Sequence, residues 1–204
     1  MQAEFYVELG EGADRLEIPW ASPEDPANRY HDLKAEPEKL DRIEEARAQA
    51  PLRDFLAGVN APASAFATAK CDTWTTSEFT DGERADFPEA RAKAAGYIDL
   101  VFARPDFNFH RLHYEQLARR LRELLRRDST RARAELCLRH CYFYERQAWG
   151  FYLTVFLYGY GADAAEAARE WATGLRAVVR ALAQISEALA AALAQAEAGG
   201  GRRA

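Results

Sequence analysis

The sequence predicts an α+β fold: a small, mostly antiparallel sheet of about four strands from the N-terminal half, packed against a C-terminal bundle of three long helices. Three observations carry this. Several stretches before residue 104 alternate apolar and polar side chains, the period of a strand with one buried face. After Pro105 the apolar spacing lengthens towards that of a helix. Prolines, glycines and small polar residues punctuate the chain between these stretches. At 204 residues, one domain is expected over 1–198. It divides into an acidic strand-rich part at 1–104 and a helical part at 105–198, with a disordered tail at 199–204.

The elements follow in order. Phe5, Val7 and Leu9 alternate with Glu4, Tyr6 and Glu8; Leu16, Ile18 and Trp20 alternate with Arg15 and Glu17. The glycine-rich GEGAD between them predicts a β-hairpin. Pro19, Pro23, Pro26 and Pro37 mark an ordered loop or flap, in which Tyr30 and His31 are the residues least expected of a plain linker. Pro37 opens a helix near Glu38 to Gln49, and Pro51 a second with Leu52, Phe55, Leu56 and Val59 on one face. Ser64–Trp74 and Tyr97–Ala103 read as the third and fourth strands, separated by a polar loop and a short helix around Glu89–Ala95. Three long helices complete the chain: His110–Arg126, about Arg131 to Leu157, and Ala164 to about Ala196. The last is capped by Asp163 and carries Leu175, Val178, Leu182, Ile185 and Leu189, three and four residues apart.

Composition narrows the class. Hydrophobic residues make up 49% of the chain, enough for a sizeable core, and charged residues 29%, so a globular domain is expected. The longest uncharged run, Gln147–Ala162, is about 16 residues and falls short of the ~20 that cross a bilayer. The opening MQAEFYVELG has neither the basic nor the apolar region of a secretion signal. The cysteines are Cys71, Cys137 and Cys141, an odd number that suits reduced thiols. A cytoplasmic protein without a membrane partner is therefore expected. The net charge of −5 is uneven. Residues 1–100 hold 21 acidic and 11 basic side chains and the remainder 11 and 16, so the two halves should attract where they pack. The acidic total argues against non-specific nucleic-acid binding.

Four groups of residues are candidates for function. The polar faces of the strands could place Glu8, Glu17, Lys70, Asp72 and Asp99 on one surface, patterned with Tyr6, Trp74 and Tyr97. Grouped carboxylates can hold a hard cation, and a lysine beside them can stabilise a phosphoryl charge. The same pattern also describes an ordinary solvent-facing sheet with cross-strand ion pairs. Cys71 alternates onto the opposite side with Ala65, Ala67, Ala69 and Thr73, where it reads as a small buried hydrophobe. His110 with His113, and Cys137 with His140 and Cys141, each offer two ligands at helical spacing. An antiparallel pair of helices leaves His113 and His140 within reach of each other but holds His113 too far from Cys137 for one ion, so a full four-ligand site is not expected and no metal site is assigned. Arg119, Arg120, Arg122, Arg126, Arg127, Arg131 and Arg133 would cluster at the tip of that helical hairpin, either solvated or meeting phosphates or an acidic partner. The aromatic run from Tyr142 to Tyr160 points all round a helix, which suggests a central position, part of it lining an aromatic pocket or a subunit interface.

No motif names a cofactor or a reaction. The expectation is an accessory or binding protein that self-associates through its aromatic and last helices and holds a protein partner or small polar ligand between sheet and helices. The alternative is a metal- or lysine-assisted enzyme acting on a phosphorylated or otherwise anionic substrate. Its catalytic residues would come from Lys70, Asp72, Asp99, Glu8 and Glu17, while Tyr6, Lys70, Asp72, Trp74 and Tyr97 would bind the ligand.

Overall fold

Alternation builds the sheet, but it reaches further along the chain than the helical spacing suggests. The computed structural model describes residues 1–25 and 27–200. Its strands are β1 (Gln2–Val7), β2 (Arg15–Ile18), β3 (Phe66–Thr76), β4 (Ala92–Phe102), β5 (Ala132–Phe143) and β6 (Ala148–Gly161). Its α-helices are α1 (Glu44–Ala48), α2 (Ala50–Val59), α3 (Asp81–Asp86), α4 (Arg111–Leu125) and α5 (Ala164–Gly200), with short 3-10 turns at Pro37–Arg42 and Pro105–Phe109. The tail expected at 199–204 lies outside the described residues from position 201 on, and Gly199 and Gly200 still belong to α5.

The fold is α+β, but the helical bundle is not there. The six strands form one mixed sheet in the order β1-β5-β6-β4-β3, with β2 also pairing β5. Among the described residues only one long helix, at the C-terminus, stands beside shorter ones. The stretch expected as a helix over 131–157 is the hairpin β5–β6, so the sheet draws on both halves of the chain. The reason is visible in β5. Ala132, Ala134, Leu136 and Leu138 are buried on one face, while Arg133, Glu135 and Arg139 stand on the other. Alanine, arginine, glutamate and leucine favour helices on propensity alone, and here the alternating pattern overrides it. The aromatic run that seemed to point all round a helix spans the end of β5, the turn after it and both faces of β6, so it offers no helical surface for self-association.

Four smaller corrections follow. β1 and β2 do not pair with each other. Both run parallel to β5, at Gln2–Val7 and Arg15–Ile18 respectively, as one edge strand broken by a loop. The helix expected at 38–49 is the turn at Pro37–Arg42 followed by α1. The polar loop before β4 contains α3. The helix expected at 89–95 is largely the start of β4.

One face of the sheet carries the main core. Ile98, Leu100, Leu136, Leu138, Leu153, Val155 and Leu157 meet Phe55 and Leu56 of α2, Leu117 and Leu121 of α4, and Trp171, Leu175, Val178 and Leu182 of α5. α5 is long and apolar enough to cross a membrane by length and composition, and these four of its side chains are buried in this core. Its start is capped as expected, with Asp163 accepting from the Glu166 N–H at 2.8 Å. α5 also lies directly on β6: a Cβ added at Gly159 would run into the backbone of Ala167 and Trp171.

The opposite face has two separate covers. At one end Leu16, Ile18, Trp20 and Tyr30 pack on Ala67, Ala69, Val101, Cys141 and Tyr152. At the other, Phe87 stacks on Tyr160 with ring centroids 3.9 Å apart. There the Lys93 ammonium lies 5.6 Å from the centre of the Phe79 ring and 5.4 Å from that of Tyr158, and 2.8 Å from Glu83. Glu83 also accepts from the Tyr160 hydroxyl at 2.8 Å and forms the capping box of α3 with Thr80. Burial alone would raise the Glu83 pKa, but Lys93, the Thr80 N–H and Tyr160 outweigh it and hold the carboxyl at about 2.

Two outcomes are expected. Gly159→Ala should destabilise the fold by about 1–3 kcal/mol, the cost of overpacking; urea unfolding at unchanged m-value checks this. The Glu83 value lies below the ~4.3 of an unfolded glutamate. The pair therefore stabilises fully above that pH, and the contribution is lost as pH falls through about 2. Unfolding free energies measured from pH 6 to 2 should fall less steeply in Glu83→Gln than in the wild type.

Candidate functional site

The geometry of the site begins with one extra residue. Between Thr68 and Lys70 the register of β3 on β4 shifts, which leaves Ala69 as a β-bulge. The bulge breaks the strict alternation of β3. Phe66 and Thr68 therefore lie on the helix-covered face, opposite Phe102 and Leu100, whereas Lys70 and Asp72 lie on the other, opposite Asp99 and Tyr97. Ala67 and Ala69 join the outer cluster, while Cys71 packs against the main core. The small-residue face expected to run unbroken from Ala65 to Thr73 is thus split. Burial first, then Glu45, Asp99 and Asp72, push the Cys71 thiol up to about 12, which leaves it protonated and a poor nucleophile.

Among the described residues, β3 is the edge of the sheet and pairs only with β4. Along its free edge lies a cavity of about 390 Å³. Five consecutive residues, Thr68 to Asp72, line it, with Tyr97 beside them. Its far wall is the stretch from Trp20 through the 3-10 turn to α1. That stretch is held by hydrogen bonds, as expected of an ordered flap. Trp20 Nε1 donates to the Ala69 carbonyl at 2.8 Å, so the bulge itself anchors the flap. The Tyr30 N–H donates to the Trp20 carbonyl at 2.8 Å. Lys34 Nζ donates to the carbonyls of Ala61 and Ser64 at 2.8 and 2.9 Å.

Charge dominates the cavity wall. Arg29, Arg42, Arg47, Lys70, Asp25, Glu44, Glu45 and Asp72 line it, with His31 among them. Among the described residues, none of these eight charged groups makes an ion pair; the pairs nearest in the chain, Lys39–Glu36 and Arg53–Asp41, use other side chains. Lys70 lies over the Trp20 ring, its ammonium 5.3 Å from the centroid. His31 is held low, by burial first and then by Lys39, Arg29 and Arg42.

Of the residues expected to bind or react, Lys70, Asp72 and Tyr97 come together here. Asp99 lies behind them, buried, accepting from the Thr154 hydroxyl at 2.7 Å and outside the cavity lining. Trp74 stands further along β3, 40% exposed, also outside the lining. Tyr6 is on β1, four strand spacings away, or roughly 19 Å, where its hydroxyl bonds Glu4. Glu8 pairs with Arg139 at 2.6 Å. Glu17 is opposite Tyr142 in the register, while its neighbours Leu16 and Ile18 join the outer cluster, so it turns to the other face and accepts from the Tyr144 hydroxyl at 2.6 Å. The expected single surface of five charged residues therefore does not form.

The other candidates disperse. Cys137, His140 and Cys141 are on β5, not on a helix, and among the described residues no three of His, Cys, Asp and Glu are grouped to hold a metal ion. The arginine cluster has no hairpin tip to occupy. Arg119 and Arg120 pair along α4, whereas Arg131 and Arg133 reach Glu89, Glu4 and Asp86. Sequence reasoning missed Arg29, Arg42, Arg47, Glu44 and Glu45. Their signal was a predicted helix at 38–49 too polar to be an ordinary core helix. The chain matches no protein-family model, no curated protein and no solved structure.

Burial pushes Asp99 up to about 7, against the Thr154 hydrogen bond and the charges of Arg139 and Lys70. Its folded value lies above the ~3.9 of an unfolded aspartate, so the native state binds the extra proton and this group lowers stability as pH rises from about 4 to 7. Asp99→Asn should remove that part of the pH dependence of unfolding. A carboxyl ¹³C titration of the wild type should show one aspartate with a midpoint near 7 that is absent from the variant.

Proposed function

We propose that this chain is a binding protein for a small polar ligand, which sits between the free edge of β3 and the 20–47 stretch. The observation that carries the reading is the set of eight charged side chains around one cavity with no ion pairs between them. Exposed charges of opposite sign usually gain little from each other. A concave wall of them, with two aromatic rings and a pinned flap, is organised to receive another molecule. The volume, about 390 Å³, suits a metabolite-sized ligand.

The enzyme reading has less support. Asp99, the group pushed nearest to neutrality, is closed off behind Lys70 and outside the cavity. Lys70 and Asp72 reach the cavity without a partnered nucleophile or a third group to orient them.

Thermal unfolding in the presence of phosphorylated, carboxylated, amino and zwitterionic metabolites tests the binding reading. A ligand at a hundred times its Kd stabilises the fold by about 2.7 kcal/mol, a rise of roughly 5–10 °C in Tm for a chain of this size. The rise should disappear in the doubly substituted Arg42→Ala, Lys70→Ala protein. A panel with no stabilising member, or stabilisation that survives both substitutions, would overturn the proposal.

A further inference from the structure

We infer that β3 pairs edge to edge with β3 of a second copy of this chain, antiparallel about a two-fold axis at Trp74, so that the two sheets join into one.

The backbone of β3 leaves a row of polar groups free. The Ala65 carbonyl accepts from the Ala103 N–H at 2.9 Å, so Ala65 turns towards β4. Hydrogen-bonded pairs alternate along an antiparallel ladder, which turns Thr68 outward. Its N–H is accordingly on Asn60 Oδ1 at 3.0 Å. The bulge at Ala69 resets the alternation. Lys70, Asp72 and Trp74 turn to Asp99, Tyr97 and Ala95, and Cys71, Thr73 and Thr75 turn outward. The hydrogen bonds agree with this: the Ala69 carbonyl points out to Trp20, and the Thr73 N–H is taken by the adjacent Asp72 carboxylate at 2.7 Å. Beyond that local bond, no partner outside the ladder reaches Cys71, Thr73 or Thr75 among the described residues.

The two edges of the sheet are protected differently. At the other edge β1 and β2 hold 6 and 4 residues and are broken by a loop. β3 runs for 11 residues, and from Cys71 to Thr76 it has no proline and no lysine. The flap cavity lies beside it only as far as Asp72. Further along, Trp74 and Thr75 are exposed. A long, uncovered edge of this kind is a template for another strand.

A second copy suits this edge in one register. Outward groups must meet outward groups, so the axis passes through a residue and not between two. Centring it on Cys71 or Asp72 sets the second strand against Ala69, whose carbonyl Trp20 holds. Centring it on Thr75 opposes Asp72 to Glu78, two like charges. Centring it on Thr73 leaves Lys70 opposite Thr76 and Asp72 opposite Trp74, with no charge matched. Centring it on Trp74 opposes Thr73 to Thr75 of the second copy, Asp72 to Thr76, and Lys70 to Glu78 just beyond the strand. Neither Lys70 nor Glu78 makes an ion pair within its own chain among the described residues. The two Trp74 rings, each 40% exposed in the single chain, then meet on the axis at the centre of the contact. An unrelated extended peptide would satisfy the backbone but not this reciprocal exchange of charge and ring.

Sedimentation across a rising concentration series tests the inference, with mass as the readout. The chain should pass from monomer to twice its mass. Thr75→Pro removes an outward N–H and leaves the pairing with β4 intact, which an edge strand tolerates. It should weaken association at least about tenfold, because each copy loses a donor across the axis. Thr75→Val should associate like the wild type. Glu78→Lys should weaken the dimer, and the exchanged pair Lys70→Glu, Glu78→Lys should restore it. Trp74→Cys should form a cross-linked dimer on mild oxidation, because α-carbons directly opposite at this kind of position lie about 4.5 Å apart, within reach of a disulfide. Thr76→Cys, offset from its own copy, should not. Thermal unfolding of each variant confirms that it is folded. A chain that stays monomeric throughout the series overturns the second copy, whether or not the edge then takes a peptide. A dimer that survives Thr75→Pro lies elsewhere on the surface and overturns the edge pairing. A dimer lost in Thr75→Pro that cross-links through Thr76→Cys and not Trp74→Cys overturns the axis at Trp74.

Discussion

The structure depends on the contact between α5 and the backbone of β6. At Gly159 and Gly161 there is no side chain between helix and strand, so the helix rests on the middle of the sheet itself. A helix this close buries Trp171, Leu175, Val178 and Leu182 deeply. The helix-covered face is consequently largely apolar, and Thr68, buried on it, accepts from the Asn60 amide at 2.7 Å. The opposite face is left to irregular segments, and a loop must anchor each cover by specific bonds because it has no continuous apolar stripe. Lys93–Glu83–Tyr160 does this at one end and Trp20 on the Ala69 carbonyl at the other.

The cavity is a consequence of that second anchor. A bulge at Ala69 exposes a carbonyl at the sheet edge, and the Trp20 indole takes it. The flap is thereby fixed at its start and at Lys34. Between these points, it arches over the edge of β3. The same bulge turns Lys70 and Asp72 to the side where Tyr97 lies. One inserted residue thus orients the strand's charged side chains and secures the wall opposite them.

The charge asymmetry between the halves acts through the sheet edge. Glu4, Glu8, Asp14, Asp86 and Glu89 of the acidic half pair with Arg131, Arg133 and Arg139 of the basic half. Most of these pairs are partly exposed and individually worth little. Their direction is consistent, though: each ties β1, its loop or the α3 segment onto or beside β5. The flap takes no part in this exchange, and among the described residues its Arg29, Arg42, Arg47, Glu44 and Glu45 make no ion pair around the cavity.

Local pattern by itself determined the α+β class, α2, α4, α5 with its Asp163 cap, the strand character of β1 to β4, and the prominence of Lys70, Asp72 and Tyr97. Each depends on spacing or capping within a few residues, which sequence displays directly. The tertiary structure decided what spacing could not. It made β5 and β6 strands, because in a sheet an alternating run buries its apolar side against the helices, and that burial overrides the helix propensity of the same residues. It set β1 and β2 beside β5 instead of each other, since pairing partners far apart in sequence leave no local mark. It removed Glu8, Glu17 and Tyr6 from the site and supplied Arg29, Arg42 and Glu45, because the far wall of a cavity is chosen by how a flap closes over an edge strand, and that closure depends on a bulge and an indole 49 residues apart.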